Sequence, residues 1–338
     1  MERAKRSSDE IVADLIRDHY DLGEVQIPRH LEDVHQRRHR KLVVDTSAGR
    51  FLVKTYKRDP KILDTLRFQH RLSDHLHDNG LPVARIQEAR NGRRVVEIDD
   101  WAIELQQFIE GTPMQITHKS LARSAHALGR FHRVCRDFPH PSRDTNKWRF
   151  SEVPRDVFAE LFNRAREEGD AETLNAQCNR IALFLQNASR ELNWEQCNQF
   201  EAGLIHGDWH SGNLIFRGEK LVGIVDLEFA GDGCYLEDIA YAISNLCVRT
   251  AVDPKRLEQR TDLLLEYYQR WRTLSPAEYR ALYYATGVKH VATVSYQSSQ
   301  MKGSVAGYTP AEWMERLDLQ CQWLEDRARA ARGESHFM

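Results

Sequence analysis

The sequence predicts an α+β fold with two lobes. Before about residue 110, most apolar residues fall in short runs that are typical of β-strands. After that point, long segments repeat apolar residues at the three- to four-residue spacing of helices. The chain has 338 residues, of which 41% are hydrophobic, so it can bury a large core. We therefore expect an N-terminal lobe with an antiparallel sheet over residues 1–110 and a mainly helical C-terminal lobe over residues 111–338.

In the N-terminal lobe, the pattern predicts two helices and several strands. A leading helix is expected over residues 8–20, with Ser8 as a candidate cap, and a second over residues 60–79, before an Asn-Gly pair that favours a helix end. Short apolar runs predict strands at 25–27, 42–44, 51–53, 95–98 and 101–109. In the C-terminal lobe, helical spacing predicts helices at 117–136, 157–166, 171–194, 254–271, 276–297 and 310–331.

Composition excludes several classes of partner. The 48 basic and 50 acidic side chains give a net charge of −2, which provides no general attraction to nucleic acid or to an anionic membrane. There is no apolar leader and no run as long as a membrane span, so we expect a soluble protein. The six cysteines are scattered without a Cys-x-x-Cys pair, which favours a reducing cytoplasm over a disulfide framework or a zinc site. The sequence does not define an oligomeric state.

The most informative stretch is a predicted hairpin at residues 214–225. Its two apolar runs are separated by the polar residues 217–220, which include a glycine suited to a tight turn. A hairpin brings its own ends together, and these ends carry Asn213 and Asp226. An amide oxygen and a carboxylate are suitable ligands for a hard cation such as Mg²⁺.

A second carboxylate, Asp208, stands five residues before Asn213. A metal pair with a nearby free carboxylate is the minimum equipment for phosphoryl transfer. The metal neutralises charge on the phosphates, and the carboxylate accepts a proton from the acceptor hydroxyl. An ordinary hairpin with solvated turn residues is the structural alternative.

His206-x-Asp208, followed by Asn213 and by Asp226 after the hairpin, resembles the motifs of the aminoglycoside phosphotransferase and choline kinase family, relatives of the protein kinases. The spacing from Asp208 to Asn213 matches the kinase catalytic loop. The resemblance runs from about Val25 to residue 238 and implies a two-lobed, protein-kinase-like fold with ATP and Mg²⁺ as cofactors. It implies that Asp208 is the catalytic base and that Asn213 and Asp226 bind the metal.

The same resemblance assigns the nucleotide contacts. Lys54 follows the predicted strand 51–53, where the family has a lysine that holds the α- and β-phosphates. Residues 105–111 resemble the family's hinge, which implies that the backbone of Gln107, Phe108 and Ile109 contacts adenine. From the residues alone, a strand that leaves a sheet at a glycine is equally consistent.

Three further residues receive supporting roles from the resemblance. His206 is expected to pack and shape the catalytic loop, and Asp238 to brace that loop. Glu228, two residues after the metal aspartate, is expected to hold a second metal or a bound water. A simple solvated acidic loop remains the alternative. The acids Glu228, Asp232 and Glu237 also suggest a cationic acceptor, although acids on loops are commonly just solvated.

Two features depart from the family's pattern. The predicted helix 60–79 has no glutamate to pair with Lys54, and the usual position falls near Gln69 or His70. Gln69 can donate or accept a hydrogen bond but cannot neutralise the lysine. The loop at residues 29–41 is rich in basic residues and histidine but lacks the glycines that let a backbone approach phosphates. It is either the phosphate-covering loop or a solvated charged loop.

The sequence thus predicts an ATP- and Mg²⁺-dependent phosphotransferase that acts on a hydroxyl of a small molecule of the aminoglycoside, amino alcohol, homoserine or sugar type. One alternative is a protein Ser/Thr kinase of the same lineage, against which the long helical insertions argue. The other is a non-catalytic nucleotide-binding scaffold. The missing helix glutamate favours this scaffold, and the complete set of Asp208, Asn213 and Asp226 argues against it.

Overall fold

The computed structural model describes residues 8–31, 40–140, 142–143, 155–301 and 303–334. Backbone contacts divide the chain into two compact units. The N-terminal unit comprises Met1–Thr112 and Ile215–Glu228, and the C-terminal unit comprises Pro113–Leu214 and Phe229–Met338. The division predicted from sequence cuts the chain at a single point, whereas the contacts return the segment Ile215–Glu228 to the N-terminal unit.

The N-terminal unit is built on a five-stranded antiparallel sheet with the strand order β1-β2-β3-β5-β4. The strands are β1 (Arg29–His30), β2 (Arg40–Thr46), β3 (Gly49–Lys57), β4 (Val96–Ile98) and β5 (Trp101–Gln107). In the pairing of β3 with β5, Phe51 lies opposite Gln107 and Lys54 lies opposite Glu104. Residues opposite each other in an antiparallel pair project from the same face of the sheet. This register therefore places Lys54 and Glu104 on one face.

Two helices accompany this sheet. Helix α1 (Ser8–His19) buries Val12 and Ile16 in a core shared with residues of β2, β3 and β5. Helix α2 (Pro60–Asp78) begins after Asp59, whose side chain accepts a hydrogen bond from the Lys61 amide. A side-chain cap and a proline in the first turn are the usual signals of a helix start. Both helices lie within one residue of their predicted bounds.

Five further short strands lie in the described part of the chain, and two of them form the predicted hairpin. They are β6 (Thr112–Pro113), β7 (Ala202–Ile205), β8 (Leu214–Arg217), β9 (Lys220–Ile224) and β10 (Gly231–Cys234). Strands β8 and β9 form the hairpin, which confirms that prediction, and Gly218 in its turn has a φ of 57°, a conformation that favours glycine. Strands β7 and β10 pair antiparallel, with Ile205 opposite Gly231.

The C-terminal unit is mainly helical, as predicted. Its helices are α3 (His118–Cys135), α4 (Arg155–Arg166), α5 (Ala171–Glu191), α6 (Trp194–Cys197), α7 (Tyr235–Ile243), α8 (Pro254–Tyr268), α9 (Pro276–Gln300) and α10 (Pro310–Ala331). Three of them, α3, α9 and α10, start with a capping box. In this motif, the side chains of the N-cap and N3 residues each accept a hydrogen bond from the other residue's backbone amide. Helix α9 is buried on most of its surface and forms the centre of this unit.

Several details differ from the sequence expectations. Lys54 lies within β3 rather than after a strand, because β3 continues to Lys57. Residues 25–27 contribute only an isolated bridge between Val25 and Thr46. Helices α6 and α7 and a π-helical turn at Ser244–Val248 were not predicted. Most of the basic loop at 29–41 lies outside the described residues. None of the described helices combines the length and the apolar character needed to cross a membrane.

Candidate active site

The Asp208 carboxylate is buried and held on both of its oxygens. The Asn213 side-chain amide donates to Asp208 Oδ2 at 3.1 Å, and the Tyr241 hydroxyl donates to Asp208 Oδ1 at 2.9 Å. His210 Nε2 lies 3.5 Å from Oδ2. An amide and a phenol therefore help to set the orientation of the carboxylate. Such neutral donors position a base and leave it able to accept a proton.

Local geometry explains why Asn213 reaches back to Asp208. A single 3₁₀ turn, Ser211–Asn213, begins after His210, whose Nδ1 accepts a hydrogen bond from the Gly212 amide at 3.0 Å. Gly207, which precedes Asp208, has a φ of 75°, and a Cβ at this position would lie 2.5 Å from the Phe229 carbonyl oxygen. Glycine is therefore required here both for its conformation and for space.

The Asn213 side chain leaves one group available to a cation. Its amide nitrogen donates both to the Asp208 carboxylate and to the Asp208 carbonyl oxygen, at 3.1 and 3.0 Å. These bonds use only the nitrogen, and no bond to the amide oxygen is formed by the residues that the structure describes, so this oxygen can serve as a ligand. Among the described residues no group of three or more His, Cys, Asp or Glu side chains could hold a metal ion. This is compatible with Mg²⁺, which commonly takes one or two protein oxygens together with water and phosphate.

Asp238 of α7 braces the loop from beneath. It is buried and accepts hydrogen bonds from the His206 and Gly207 amides at 2.6 and 2.8 Å. His132 of α3 lies 3.1 Å from Asp238 through Nε2, and its Nδ1 lies 2.8 Å from the Tyr268 hydroxyl. A neutral imidazole satisfies both contacts if Nε2 donates to the carboxylate and Nδ1 accepts from the phenol. Burial acts to raise the pKa of Asp238, but the hydrogen bonds from His132 and the loop hold that pKa below its ordinary value.

His206 and Trp209 anchor the loop by packing. The His206 ring is fully buried and meets the Trp209 and Phe131 rings edge to face at 5.3 and 5.8 Å. Its Nδ1 accepts a hydrogen bond from the Asp208 amide at 3.2 Å. The Trp209 indole donates to Ser124 Oγ at 2.9 Å. Four of the residues predicted from sequence, His206, Asp208, Asn213 and Asp238, thus form one connected network in the C-terminal unit.

In the N-terminal unit, Asp226 lies between two lysines. Lys41 Nζ is 2.9 Å from Asp226 Oδ2, and Lys54 Nζ is 3.7 Å from Oδ1. Asp226 also has a φ of 66°, a left-handed conformation that is uncommon outside glycine and recurs at functional sites. Burial lowers the pKa of Lys54, but the charges of Asp226, Glu104 and Glu228 outweigh it and raise that pKa. Lys54 is therefore a buried cation.

A buried glutamate on β5 supplies the negative charge that helix α2 lacks. Glu104 is fully buried on the same face of the sheet as Lys54 and lies 2.6 Å from His70 Nε2 of α2. Its other oxygen accepts from the Tyr56 hydroxyl at 3.1 Å and from the Gln106 side chain at 2.8 Å. Burial raises the pKa of Glu104, but the His70 hydrogen bond and the Lys54 charge bring it below its ordinary value. Glu104 is therefore ionised.

Gln69 is buried on α2, and the structure shows no hydrogen bond from its side chain to Lys54. The neighbouring residue, His70, is the one that reaches the charged cluster. Sequence reasoning missed Glu104, Lys41 and Tyr241. A signal for Glu104 was present, because a charged residue in the middle of the apolar run 101–105 needs a partner if that strand is buried.

The predicted hinge lies at the end of β5. The Gln107 amide donates to the Arg85 carbonyl at 2.8 Å, and the Phe108 amide donates to the Arg50 carbonyl at 3.1 Å. Both amides are therefore already engaged within the chain. A cleft of about 870 Å³ beside Gln107 and Phe108 is lined mainly by polar and charged side chains and includes neither Lys54 nor Asp226. It is therefore separate from the lysine and aspartate cluster.

The antiparallel sheet with its buried lysine and the catalytic-loop network define a protein-kinase-like phosphotransferase. The chain belongs to the phosphotransferase enzyme family, whose family model matches residues 32–276. It is 27% identical over 274 residues to a homoserine kinase from Nitrobacter hamburgensis, covering 78% of this chain and 76% of that protein. The family and fold predictions are thereby confirmed, and the protein is a small-molecule phosphotransferase.

Solved structures show the same fold. The chain is similar to an aminoglycoside phosphotransferase from Alicyclobacillus acidocaldarius, with a TM-score of 0.69 at 16% identity over 98% of this chain and 97% of that one. It is also similar to a microcompartment-associated aminopropanol kinase, with a TM-score of 0.67 at 16% identity over 96% and 98% of the two chains.

Proposed function

We propose that this protein transfers the γ-phosphoryl group of ATP, in the presence of Mg²⁺, to a hydroxyl group of a small amino alcohol or hydroxy amino acid. The observation that carries the proposal is the Asp208 carboxylate, held by Asn213 and Tyr241 in a loop that Asp238 braces. Asp208 accepts the proton of the acceptor hydroxyl as the new bond to phosphorus forms. In this reaction class catalysis rests mainly on positioning and electrostatic stabilisation.

The remaining roles follow from charge and donor type. Mg²⁺, when bound, neutralises charge on the phosphates. Asn213 and Asp226 would hold it through an amide oxygen and a carboxylate. Lys54 contacts the α- and β-phosphates, and Glu104 takes the place of the helix glutamate as its counter-charge. Glu228 adds negative charge near Lys54 and serves as an outer ligand through water or a second metal.

The adenine contact is assigned to the backbone of Gln107, Phe108 and Ile109. Since the first two amides already donate within the chain, the donor to adenine is the Ile109 amide. We also propose a cytoplasmic location, because six scattered cysteines suit a reducing compartment. We propose no nucleic-acid partner, in keeping with the balanced charge.

The test is ATP consumption with Mg²⁺ against a panel of hydroxy amino acids, amino alcohols, aminoglycosides and sugars. The wild type is compared with Asp208→Ala and with Glu266→Gln, a control acid that is largely exposed on α8. Turnover with one acceptor class that is lost in Asp208→Ala and kept in the control supports the proposal.

Two results would contradict it. Phosphate incorporation into generic protein substrates, with silence across the panel, would identify a protein kinase. Binding of Mg²⁺-ATP without turnover on any acceptor would identify a nucleotide-binding scaffold.

A further inference from the structure

The C-terminal unit contains two partly buried arginines that have no acidic partner among the described residues. Arg249 follows the π-helical turn after α7, and Arg316 lies on α10. In the part of the chain that the structure describes, neither forms an ion pair. By contrast, four other arginines of this unit pair with acids, namely Arg180, Arg272, Arg327 and Arg332. Arg164 and Arg260 also form no ion pair among the described residues, but they donate to backbone or hydroxyl oxygens of Met301, Gly303 and Thr250.

Arg249 and Arg316 come together around one aromatic side chain. Each guanidinium carbon lies 5.4 Å from the centre of the Trp313 ring, and Arg316 also stacks on Tyr308 at 4.1 Å. Arg316 donates to the Arg249 carbonyl oxygen at 3.2 Å, and its Nε is buried without an acceptor. The side-chain hydrogen bond of Arg249 goes to the neutral Gln297 amide. Two cations held close without an acid leave unbalanced positive charge, which an anion would neutralise.

The location of Arg249 connects this charge to the catalytic base. Tyr241, Asn245 and Arg249 follow one another at intervals of four residues along α7 and the π-helical turn. The Asn245 side chain donates to the Tyr241 carbonyl oxygen at 3.0 Å, and the Tyr241 hydroxyl is 2.9 Å from Asp208. The charge of Arg249 lowers the pKa of the Tyr241 phenol, against the larger effects of burial and of Asp208, which raise it. Arg249 is thus within electrostatic reach of the group that orients the base.

A π-helical turn at this point is itself informative. The Arg249 amide donates to the Ser244 carbonyl at 2.8 Å, a bond that spans five residues instead of four. Such turns are rare and occur frequently at functional sites, because the extra residue redirects the side chains that follow. Burial lowers the pKa of Arg249, and no acid among the described residues forms an ion pair with it.

We propose that Arg249, supported by Arg316, binds a carboxylate group of the acceptor, so that the enzyme selects hydroxy amino acids over amino alcohols. This inference rests on the proposed function and specifies its acceptor. A planar guanidinium binds a carboxylate through two parallel hydrogen bonds, which adds direction to the charge attraction. The acceptor carries its hydroxyl at one end for Asp208 and its carboxylate at the other for Arg249. Of the loop acids that suggested a cationic acceptor, Asp232 accepts hydrogen bonds from the Ser142 hydroxyl and the Arg143 amide.

The decisive comparison uses two acceptors that differ only in the carboxylate. L-homoserine and 3-aminopropan-1-ol share the amine, the carbon chain and the terminal hydroxyl. We expect the wild type to have the higher kcat/KM for L-homoserine. Arg249→Met, which keeps an apolar stem but loses the charge, should reduce kcat/KM for L-homoserine by about 10- to 100-fold. It should leave the value for 3-aminopropan-1-ol within about threefold, since that acceptor has no group for Arg249.

Two further variants separate charge from packing. Arg249→Lys should recover part of the preference for L-homoserine, because a lysine keeps the charge but not the planar fork. Arg256→Met, which removes an exposed arginine of α8, should leave kcat/KM unchanged for both acceptors. An equal loss for both acceptors in Arg249→Met would overturn the proposal, as would a wild type that prefers 3-aminopropan-1-ol. A preference for glycerol 3-phosphate over L-homoserine would also overturn it, by identifying a phosphate rather than a carboxylate site.

A binding measurement tests the site without any turnover. L-2-aminobutyrate has the carboxylate but no hydroxyl, and n-propylamine lacks both. Calorimetry with Mg²⁺ and a non-hydrolysable ATP analogue should show that L-2-aminobutyrate binds to the wild type. This binding should be lost in Arg249→Met. For both proteins, n-propylamine should bind more weakly than L-2-aminobutyrate binds to the wild type. Equal affinities for the two ligands would overturn the proposal. Selective binding without phosphoryl transfer to any acceptor would support the carboxylate site and contradict the proposed function.

Discussion

The two units hold their key carboxylates in different ways. In the C-terminal unit, Asp208 is oriented by an amide and a phenol that lie within 33 residues of it in sequence. In the N-terminal unit, Asp226 faces two lysines, and the contact with Lys41 spans 185 residues. Neutral donors suit a carboxylate that must accept a proton. Lysines beside a carboxylate suit a site that binds negatively charged phosphates together with a metal ion. This difference is consistent with our proposal of a base in one unit and of a phosphate- and metal-binding cluster in the other.

The sharpest test of this comparison is a pair of isosteric variants, Asp208→Asn and Asp226→Asn. Both should lower kcat by about 10²- to 10⁴-fold, because one removes the general base and the other a metal ligand. They should differ in nucleotide binding. Asp208→Asn should keep the wild-type Kd for Mg²⁺-ATP, whereas Asp226→Asn should weaken it in a manner that depends on Mg²⁺ concentration. Isothermal titration of each variant gives the Kd. Equal effects on nucleotide binding would remove the distinction between the two carboxylates.

The next largest effect is expected for Glu104→Gln. This change removes one of the acids near Lys54, which keeps Asp226, and also removes the carboxylate that His70 contacts. Breaking a buried pair in this way costs about 3–5 kcal/mol of unfolding free energy. The KM for ATP should rise as well, since Lys54 loses its support. Urea unfolding and steady-state kinetics measure the two effects.

A second variant shows whether the charge or its location matters. Adding Gln69→Glu to Glu104→Gln returns a carboxylate to α2, where the family normally has one, next to His70. We expect partial recovery of the KM for ATP. If Glu104→Gln leaves that KM unchanged while the fold stays intact, Glu104 has no role in the phosphate site.

Asp238→Asn should have a smaller effect that depends on pH. The variant replaces a charged acceptor of two backbone amides with a neutral one, at a cost of about 1–3 kcal/mol. The pKa of Asp238 is lowered from 3.8 in the folded protein, so its carboxylate stabilises the fold above that value. This stabilisation is lost as the pH falls through the lower folded-state pKa. The difference in unfolding free energy between the wild type and the variant should therefore begin to shrink as the pH falls below about 4. A constant difference across the acid range would assign the loss to packing alone.

Thr309→Ala is a control variant that should lower stability without affecting activity. The Thr309 side chain caps α10 by accepting from the Glu312 amide at 3.3 Å. Removing a cap of this kind costs about 1 kcal/mol. Thermal unfolding should show this loss, while kcat and both KM values stay at the wild-type level. A kinetic change of the size seen in Asp208→Asn would mean that the kinetic assays report general stability.

The accuracy of the sequence predictions depended on how far apart the interacting residues are. The hairpin of β8 and β9 was predicted because its two strands are joined by a short turn. Asp208 and Asn213 were identified from their spacing, and the structure adds the hydrogen bond between them. Asp238 was assigned by family resemblance, and the structure adds its contacts with the loop and with His132. The charged partners of Lys54 were not predicted. The search for them was confined to the helix where the family has a glutamate, whereas Glu104 lies on a neighbouring strand.

By itself, the sequence determined the fold class, the hairpin and the loop motif with Asp208, since apolar spacing and short-range turn chemistry specify local structure. Only the tertiary structure decided which charges meet. Pairing of β3 with β5 brings Glu104 opposite Lys54, and the π-helical turn and α10 bring two unpaired arginines to one tryptophan. The physical reason is that a buried charge requires a partner but does not specify the position in sequence from which that partner comes.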